Sequence, residues 1–280
     1  MLEIAVTTAY DNEQEIIMIK QVDSQINKDI EIIDLTPDNI ANYGVCGYKD
    51  VKKHLELRRK IEWFKEFYPK GLRIKALFSK SGGYQGMLEY IPGRYAHRPV
   101  NAEGYMFIHC IFVGFKNAFK GKGYATCLIK ECMEEAKSKK MLGVAVVTRK
   151  GPFMAKRDIF LKNGFESIDE AKPDFELLAL KFDKNAKSPS FKKISAEKYP
   201  KGLTILRSAQ CPYSVKNVDA IMGTAKKMKL QANVIELKDV VAVQQAPCAF
   251  GTFCIVNDGK VISHHPISNA RFENIMKSRK

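Results

Sequence analysis

A glycine-rich turn between an apolar run and an amphipathic run constrains this chain more than any other feature. The turn, Lys120–Ala125, reads Lys-Gly-Lys-Gly-Tyr-Ala. The apolar run before it, Tyr105–Val113, predicts a buried strand. The run after it, Tyr124–Lys140, predicts a helix because its apolar residues recur on one helical face. The sequence therefore predicts a strand, a glycine-rich turn and a helix in succession, as in an α/β fold.

This succession favours binding of a phosphate group at the turn. Glycines let the backbone approach an anion closely, and the first N–H groups of a helix have no partner within the helix. The helix dipole adds partial positive charge, and Lys120 and Lys122 add two full charges. A glycine-rich turn is also an ordinary way to enter a helix, so the pattern alone leaves a purely structural role open.

The spacing of the turn, Lys-x-x-Gly-x-Ala, resembles the Arg/Gln-x-x-Gly-x-Gly/Ala motif of the GNAT superfamily of N-acetyltransferases. The resemblance covers residues 30–182 and implies a mixed central sheet with flanking helices, classed as α/β (α+β). It also implies that acetyl-coenzyme A, the co-substrate, binds to the loop and to the end of the strand before it. Lys120 keeps the charge of the motif's first residue but lacks the planar guanidinium group. The cofactor residues implied are Ile111, Phe112, Val113, Lys120, Gly121, Lys122, Gly123, Tyr124, Ala125 and Thr126.

The catalytic groups for acetyl transfer are less well marked. A general base is expected on or beside the strand, where the candidates are His109, Glu103 and Glu89. A histidine in an apolar strand is also often a hydrogen-bonded core residue, and both alternatives stay open. GNAT proteins often use the tyrosine of a Tyr-x-x-x-Gly-Phe ending as the acid. The matching position here is Phe160, within a helix predicted over Phe153–Lys162.

A second resemblance covers residues 202–280. The predicted order βαβ then ββα, with Cys-Pro-Tyr-Ser at the entry of the first helix, resembles the thioredoxin/glutaredoxin fold. Cys211 lies at the predicted helix N-terminus, which stabilises a thiolate, and is the candidate reactive cysteine. An ordinary helix start with a partly buried, inert cysteine is the alternative, and it stays open. Because Ser214 replaces the motif's second cysteine, a reactive Cys211 is expected to form mixed disulfides rather than to act as a dithiol oxidoreductase. Cys248 is expected to resolve such an adduct, whereas Cys254 is expected in the core.

The two resemblances divide the chain into four parts. We expect an N-terminal extension over residues 1–29, a GNAT acetyltransferase domain over 30–182 and a small thioredoxin-like domain over 202–280. Residues 183–201 are rich in Lys, Ser and Pro and are expected to form a linker. Within the first domain, Asp50 is a candidate cap for a helix over Val51–Tyr68. The pairing of the two domains is similar to the YoaP-like group of bacterial acetyltransferases.

Composition argues against several other classes of protein. The net charge of +15 suits an anionic cofactor or nucleic acid, but no basic run is interleaved with aromatic residues, which argues against nucleic acid. No apolar run approaches the ~20 residues of a membrane span. Met1–Lys28 lacks the pattern of a signal peptide. The seven cysteines show no metal-ligand or disulfide spacing, which suggests no metal and a reducing, cytoplasmic location.

Two functions remain open on the sequence alone. The first is an acetyl-CoA-dependent N-acetyltransferase that acts on a small-molecule amine or a peptide. The second is a coenzyme A-binding or thiol-sensing protein in which the thioredoxin-like domain is the working part. Phe160 at the tyrosine position favours the second function, and the phosphate-binding turn is compatible with both.

Overall fold

The structure is a computed structural model that describes residues 29–114 and 116–279. The expected N-terminal extension therefore lies, except for Asp29, outside the described residues. The helices are α1 (Ile40–Tyr43), α2 (Leu55–Phe67), α3 (Tyr124–Ser138), α4 (Asp158–Leu161), α5 (Pro212–Lys227), α6 (Val240–Gln244) and α7 (Asn269–Lys277). The strands are β1 (Ile30–Leu35), β2 (Arg73–Ser79), β3 (Gly83–Pro92), β4 (Val100–Asn101), β5 (Tyr105–Val113), β6 (Gly143–Arg149), β7 (Glu166–Ala171), β8 (Phe175–Lys181), β9 (Ser190–Phe191), β10 (Leu203–Arg207), β11 (Ala232–Glu236), β12 (Phe253–Asn257) and β13 (Lys260–Ser263).

A mixed sheet organises the first half of the described chain. Among the described residues it has seven strands in the order β1-β2-β3-β5-β6-β8-β7, and only β5 and β6 run parallel. Successive strand residues point to opposite faces. Leu77 and Leu88 accordingly pack in one buried cluster with α3, whereas Ala76 and Met87 pack in another with α2. The two helices therefore cover opposite faces of this sheet.

Strand β5 leaves its parallel neighbour halfway along its length. Its pairing with β6 runs from Tyr105–Gly143 to Ile108–Val146. On its other side, Glu89 pairs with Cys110 and Tyr90 pairs with Ile108, so His109 is the extra residue of a β-bulge. Beyond this bulge, Ile111–Val113 pair with β3 on one side only, within the described part of the chain.

A smaller sheet forms in the second half of the chain. Its four described strands have the order β11-β10-β12-β13, with β10 and β11 parallel and the other pairs antiparallel. One buried cluster contains side chains of both sheets, among them Phe107 and Leu177 from the first and Ile205 and Phe253 from the second. The two halves of the chain therefore share a hydrophobic core.

The structure confirms most of the predicted helices and strands and corrects the bounds of two helices. The predicted strand Tyr105–Val113 is β5 without change. Helix α2 begins at Leu55 rather than Val51, because the Asp50 carboxylate accepts hydrogen bonds from the N–H groups of Lys52 and Lys53 and closes a separate turn before the helix.

The helix predicted over residues 153–162 shortens to α4. Phe153 has a φ of 66°, in the left-handed region, which no α-helix contains. The segment expected as a linker, residues 183–201, includes β9, which pairs with β4. Part of that segment is therefore attached to the first half of the chain by backbone hydrogen bonds.

Candidate functional site

All ten residues implied as cofactor contacts lie along one cleft. The cleft has a volume of about 330 Å³ and runs between the one-sided end of β5 and the N-terminus of α3. Phe119, Ala155 and Ile159 complete its walls. The glycine-rich turn and the end of the strand, which are separated in the sequence, therefore face the same space.

The turn presents backbone groups and positive charge to this cleft. Gly121 and Gly123 have φ values of 69° and 79°, a conformation that favours glycine. A Cβ atom added at Gly121 would meet no atom of the described residues within 4 Å, so this part of the turn is open. Gly123 precedes α3 without any side-chain cap, and the first turn of α3 carries no acidic residue. The cleft can therefore accept an anion at the positive end of the helix dipole.

Phe160 lies behind the wall of the cleft. Its side chain has no exposed surface, and its ring packs 5.4 Å from that of Phe165. The preceding residue, Ile159, faces the cleft instead. The position that would carry a tyrosine acid in GNAT proteins thus holds a core residue that has no proton to donate.

His109, the first candidate base, is buried within the sheet. Its Nδ1 lies 3.1 Å from Glu89 Oε1, and its Nε2 accepts a hydrogen bond from the His97 N–H at 2.8 Å. Burial lowers the pKa of His109 to about 4, so the ring is neutral near pH 7. Both ring nitrogens are occupied by protein groups. This geometry gives His109 a structural role at the bulge and does not support the expected role as a free general base.

Glu89 is the centre of this buried network. Burial raises the pKa of its carboxyl group, but Lys60 and His109 outweigh that effect and hold it at about 2. Lys60 Nζ pairs with Oε2, while His109 and Gln210 share Oε1. Glu89 is therefore an ionised, fully buried carboxylate, and its low pKa makes it a weak base.

A second layer of polar groups surrounds the network. The Trp63 indole N–H donates to His97 Nε2 at 2.9 Å. The Arg98 guanidinium donates to the carbonyl oxygens of His97 and His109. These bonds hold the backbone on both sides of the bulge, so β5 is fixed where it diverges from β6.

Glu103, the second candidate base, lies at the wrong end of the strand. It is exposed in the loop before β5 and lines a separate cleft of about 540 Å³. At ~3.3 Å per strand residue, it is roughly 25 Å from Ile111. The structure therefore does not bring Glu103 to the cofactor cleft.

Cys211, the candidate reactive cysteine, directly precedes α5 as its N-cap residue. It is partly exposed, and Pro212 follows it at the first helical position. Ser214 is buried, and its hydroxyl has no hydrogen-bond partner among the described residues. Cys248, expected as a resolving cysteine, is buried and donates to the Phe253 carbonyl oxygen; Cys254 lies in the core as expected. The burial of Cys248 does not support the expected role as a resolving cysteine.

The structure reveals two functional candidates that the sequence patterns did not single out, Lys60 and Gln210, and places them beside two residues of the polar loop before β5. Lys60, the adjacent pair His97 and Arg98, and Gln210 converge on the β5 bulge from three segments of the chain. No short-range pattern links them, because their proximity arises from the fold alone. Within residues 29–114 and 116–279, no group of His, Cys, Asp or Glu side chains has the geometry to hold a metal ion. No helix of the same residues is long and apolar enough to cross a bilayer.

Comparisons with known proteins fit this arrangement. Residues 231–274 match a family described as YoaP-like. The N-acetyltransferase YoaP of Bacillus subtilis (strain 168), itself named as uncharacterized, is 30% identical over 251 residues, which cover 88% of this chain and 98% of that protein.

Solved acetyltransferase structures show weaker, partial likenesses. A protein named yncA from Salmonella typhimurium, solved with acetyl-CoA, is 14% identical, covers 56% of this chain and 96% of its own, and has a TM-score of 0.41. A streptothricin acetyltransferase from Bacillus anthracis, also with acetyl-coenzyme A, is 18% identical over 40% of this chain and 64% of its own, with a TM-score of 0.32. The identity to YoaP, which extends over almost the whole of both proteins, decides the assignment: the chain belongs to the YoaP family of N-acetyltransferases.

Proposed function

We propose that this protein transfers the acetyl group of acetyl-CoA to an amine, and that acetyl-CoA binds in the cleft between β5 and α3. The observation that carries the proposal is the convergence of Ile111–Val113 and Lys120–Thr126 on that cleft. Unpaired backbone groups of the helix N-terminus suit the pyrophosphate. The one-sided end of β5 offers backbone hydrogen bonds to the amide groups of the pantetheine arm.

The reaction needs few protein groups. The neutral amine attacks the thioester carbonyl and a C–N bond forms. The nitrogen then gives its extra proton to water, and the C–S bond breaks to release coenzyme A. Because His109 is occupied and Glu103 is remote, we propose that the amine loses its proton to water before it attacks. We also propose that water protonates the departing thiolate, since Phe160 has no proton to give.

The direct test is a panel of small amines and peptides, assayed for release of coenzyme A thiol from acetyl-CoA. We expect turnover with at least one acceptor and a rate that rises with pH until that amine is neutral. A protein that binds coenzyme A with micromolar affinity but acetylates no member of a broad panel would contradict the transferase function and favour the alternative, a coenzyme A-binding or thiol-sensing protein.

We further propose two domains, residues 30–182 and a thioredoxin-like unit over residues 202–280, joined by residues 183–201. The strand order β11-β10-β12-β13 and the position of Cys211 at the start of α5 support the second unit. In such a unit, the Cys211 thiolate would attack glutathione disulfide, form a protein–glutathione disulfide and release one glutathione thiolate.

Intact-mass measurement after incubation with glutathione disulfide tests this reaction. We expect one adduct, at Cys211, and none in a Cys211→Ser variant. An adduct on Cys127 alone, which is also partly exposed, would show that exposure rather than the helix N-terminus decides the reactivity.

A further inference from the structure

We propose that Gln210, contributed by the second half of the chain, is a positioning residue for the coenzyme A cleft. It holds the Glu89 carboxylate, and through Glu89 it holds the His109 bulge from which Ile111–Val113 diverge. The inference rests on the proposed function for its turnover readout, whereas its binding readout is independent of turnover.

The bulge determines the course of the cleft strand. His109 has no partner on β3, and pairing of β5 with β6 ends at the residue before it. The direction that β5 takes after Ile108 is therefore set at His109. Its ring and carbonyl oxygen are held by Glu89, the His97 N–H and Arg98. A change in the position of Glu89 moves one of these three attachments.

Gln210 is a direct side-chain link from the second half to Glu89. Its Nε2 donates to Glu89 Oε1 at 2.7 Å, on the same oxygen that faces His109 Nδ1. Gln210 is only 4% exposed, so water does not replace this bond easily. Its own N–H donates to the Ser208 hydroxyl, and the Ser208 N–H donates to the Thr252 carbonyl oxygen. The backbone of Gln210 is thus anchored to the smaller sheet, and its side chain reaches from there to Glu89.

A matched control exists in the same half of the chain. Gln244 is also buried, and its Nε2 also crosses to the first half, where it donates to the carbonyl oxygens of Arg94 and Ala96 at 3.2 Å. It touches neither Glu89 nor the bulge. Gln210→Leu and Gln244→Leu therefore each remove a side-chain amide that reaches from the second half of the chain to the first. Only Gln210→Leu removes the contact with Glu89.

The first experiment measures binding of coenzyme A by calorimetry in the full-length protein. We expect Gln210→Leu to weaken binding roughly tenfold or more, and Gln244→Leu to change it by less than about threefold. Unfolding curves of both variants establish that each is folded at the assay temperature. Equal weakening in the two variants, or wild-type affinity in folded Gln210→Leu, would overturn the proposal.

The second experiment uses Gln210→Glu, which places a carboxyl group against Glu89. Two adjacent buried carboxyl groups do not ionise together easily, so the pKa of the pair is raised. While protonated, the introduced acid donates to Glu89 as the amide did. Once ionised, it repels Glu89. The charged or titratable groups that interact with Glu89 are Lys60, Tyr84, His97, Arg98, His109, Cys46 and Cys110.

The neighbouring groups are the same in every variant, and the same ligand, coenzyme A, is used throughout. The ratio of a variant's affinity to the wild-type affinity at the same pH therefore isolates the effect of the introduced group. We expect the affinity of Gln210→Glu, relative to wild type, to fall as pH rises from about 6 to about 9, while the Gln210→Leu ratio stays flat. A flat ratio for Gln210→Glu would contradict the positioning role.

Turnover is measured last, with any amine found in the acceptor panel. If the wild type binds coenzyme A but acetylates nothing, the transferase proposal fails while the binding comparison still decides the role of Gln210. If both binding and turnover are normal in Gln210→Leu, the positioning proposal fails and the transferase function stands.

Discussion

Lys60 and Glu89 form an ion pair in which neither side chain has any exposed surface. Lys60 also lies 4.1 Å from the centre of the Trp63 ring. Removing one partner of a buried pair leaves an uncompensated charge. We expect Lys60→Met to lower the free energy of unfolding by about 3–5 kcal/mol.

A double-mutant cycle with Glu89→Gln measures the coupling between the two charges. The double variant should lose much less stability than the sum of the two single losses, because it buries no net charge. Urea unfolding provides the four values. Additive losses would mean that the pair does not stabilise the fold as a unit.

Gly121→Asp tests the anion site. The carboxylate would enter the cleft where phosphate must approach, so affinity for coenzyme A should fall by well over the tenfold that ~1.4 kcal/mol represents. Gly202→Asp is the control, since Gly202 has a similar φ of 74°, compared with 69° for Gly121, and neither has an atom within 4 Å of an added Cβ. Calorimetry should show normal affinity for the control. An equal loss in both variants would point to a general effect of negative charge or backbone strain.

Phe160→Tyr tests the missing acid. The added hydroxyl would be buried in the core without an evident partner, which costs roughly 1–3 kcal/mol of stability. We expect turnover per folded molecule to be unchanged. Ile159→Tyr, whose hydroxyl would point into the cleft, should instead alter binding of coenzyme A, because Ile159 lines that space. Abolished turnover in a folded Phe160→Tyr variant would show that this side chain has a direct role.

His109 predicts a pH dependence of stability. Its pKa is lowered from 6.5 to about 4 in the folded protein, so the unfolded chain binds more protons between these values. The contribution of His109 to the free energy of unfolding is therefore complete above pH 6.5 and decreases as the pH falls towards about 4. Glu89, lowered from 4.5 to about 2, adds a further loss below pH 4.5.

The measurement is urea unfolding at several pH values in wild type and His109→Gln. Near pH 5, the free energy of unfolding of the variant should depend less steeply on pH. The difference in slope corresponds to up to about one proton fewer taken up on unfolding. Identical slopes would mean that His109 does not titrate differently in the folded and unfolded protein.

The sequence predicts local features of this protein well and distant ones poorly. Strand β5 and the turn at Lys120–Ala125 could be predicted because apolar runs and glycine spacing are local properties of the chain. The short α4 could not be predicted, since no pattern in the sequence marks the left-handed φ of Phe153.

The candidate site also has a part that local sequence patterns predict and a part that depends on residues distant in the sequence. The ten residues implied as cofactor contacts form two contiguous segments, so one motif and one strand end sufficed to predict residues that line one cleft. The roles of His109 and Glu103 depend on which residues surround them, and those residues are distant in the sequence. Gln210 lies 121 positions from Glu89, beyond the reach of any periodicity or spacing rule.

The core shared by the two sheets determines how the molecule can come apart. Phe107 and Leu177 belong to the same buried cluster as Ile205 and Phe253. Separating the halves would expose these apolar side chains to water, which is unfavourable in proportion to the area exposed. Heating should therefore melt both halves in one cooperative transition, with calorimetric and van't Hoff enthalpies in agreement. Expression of residues 30–182 alone should yield an aggregation-prone fragment, even though that segment contains the whole cleft.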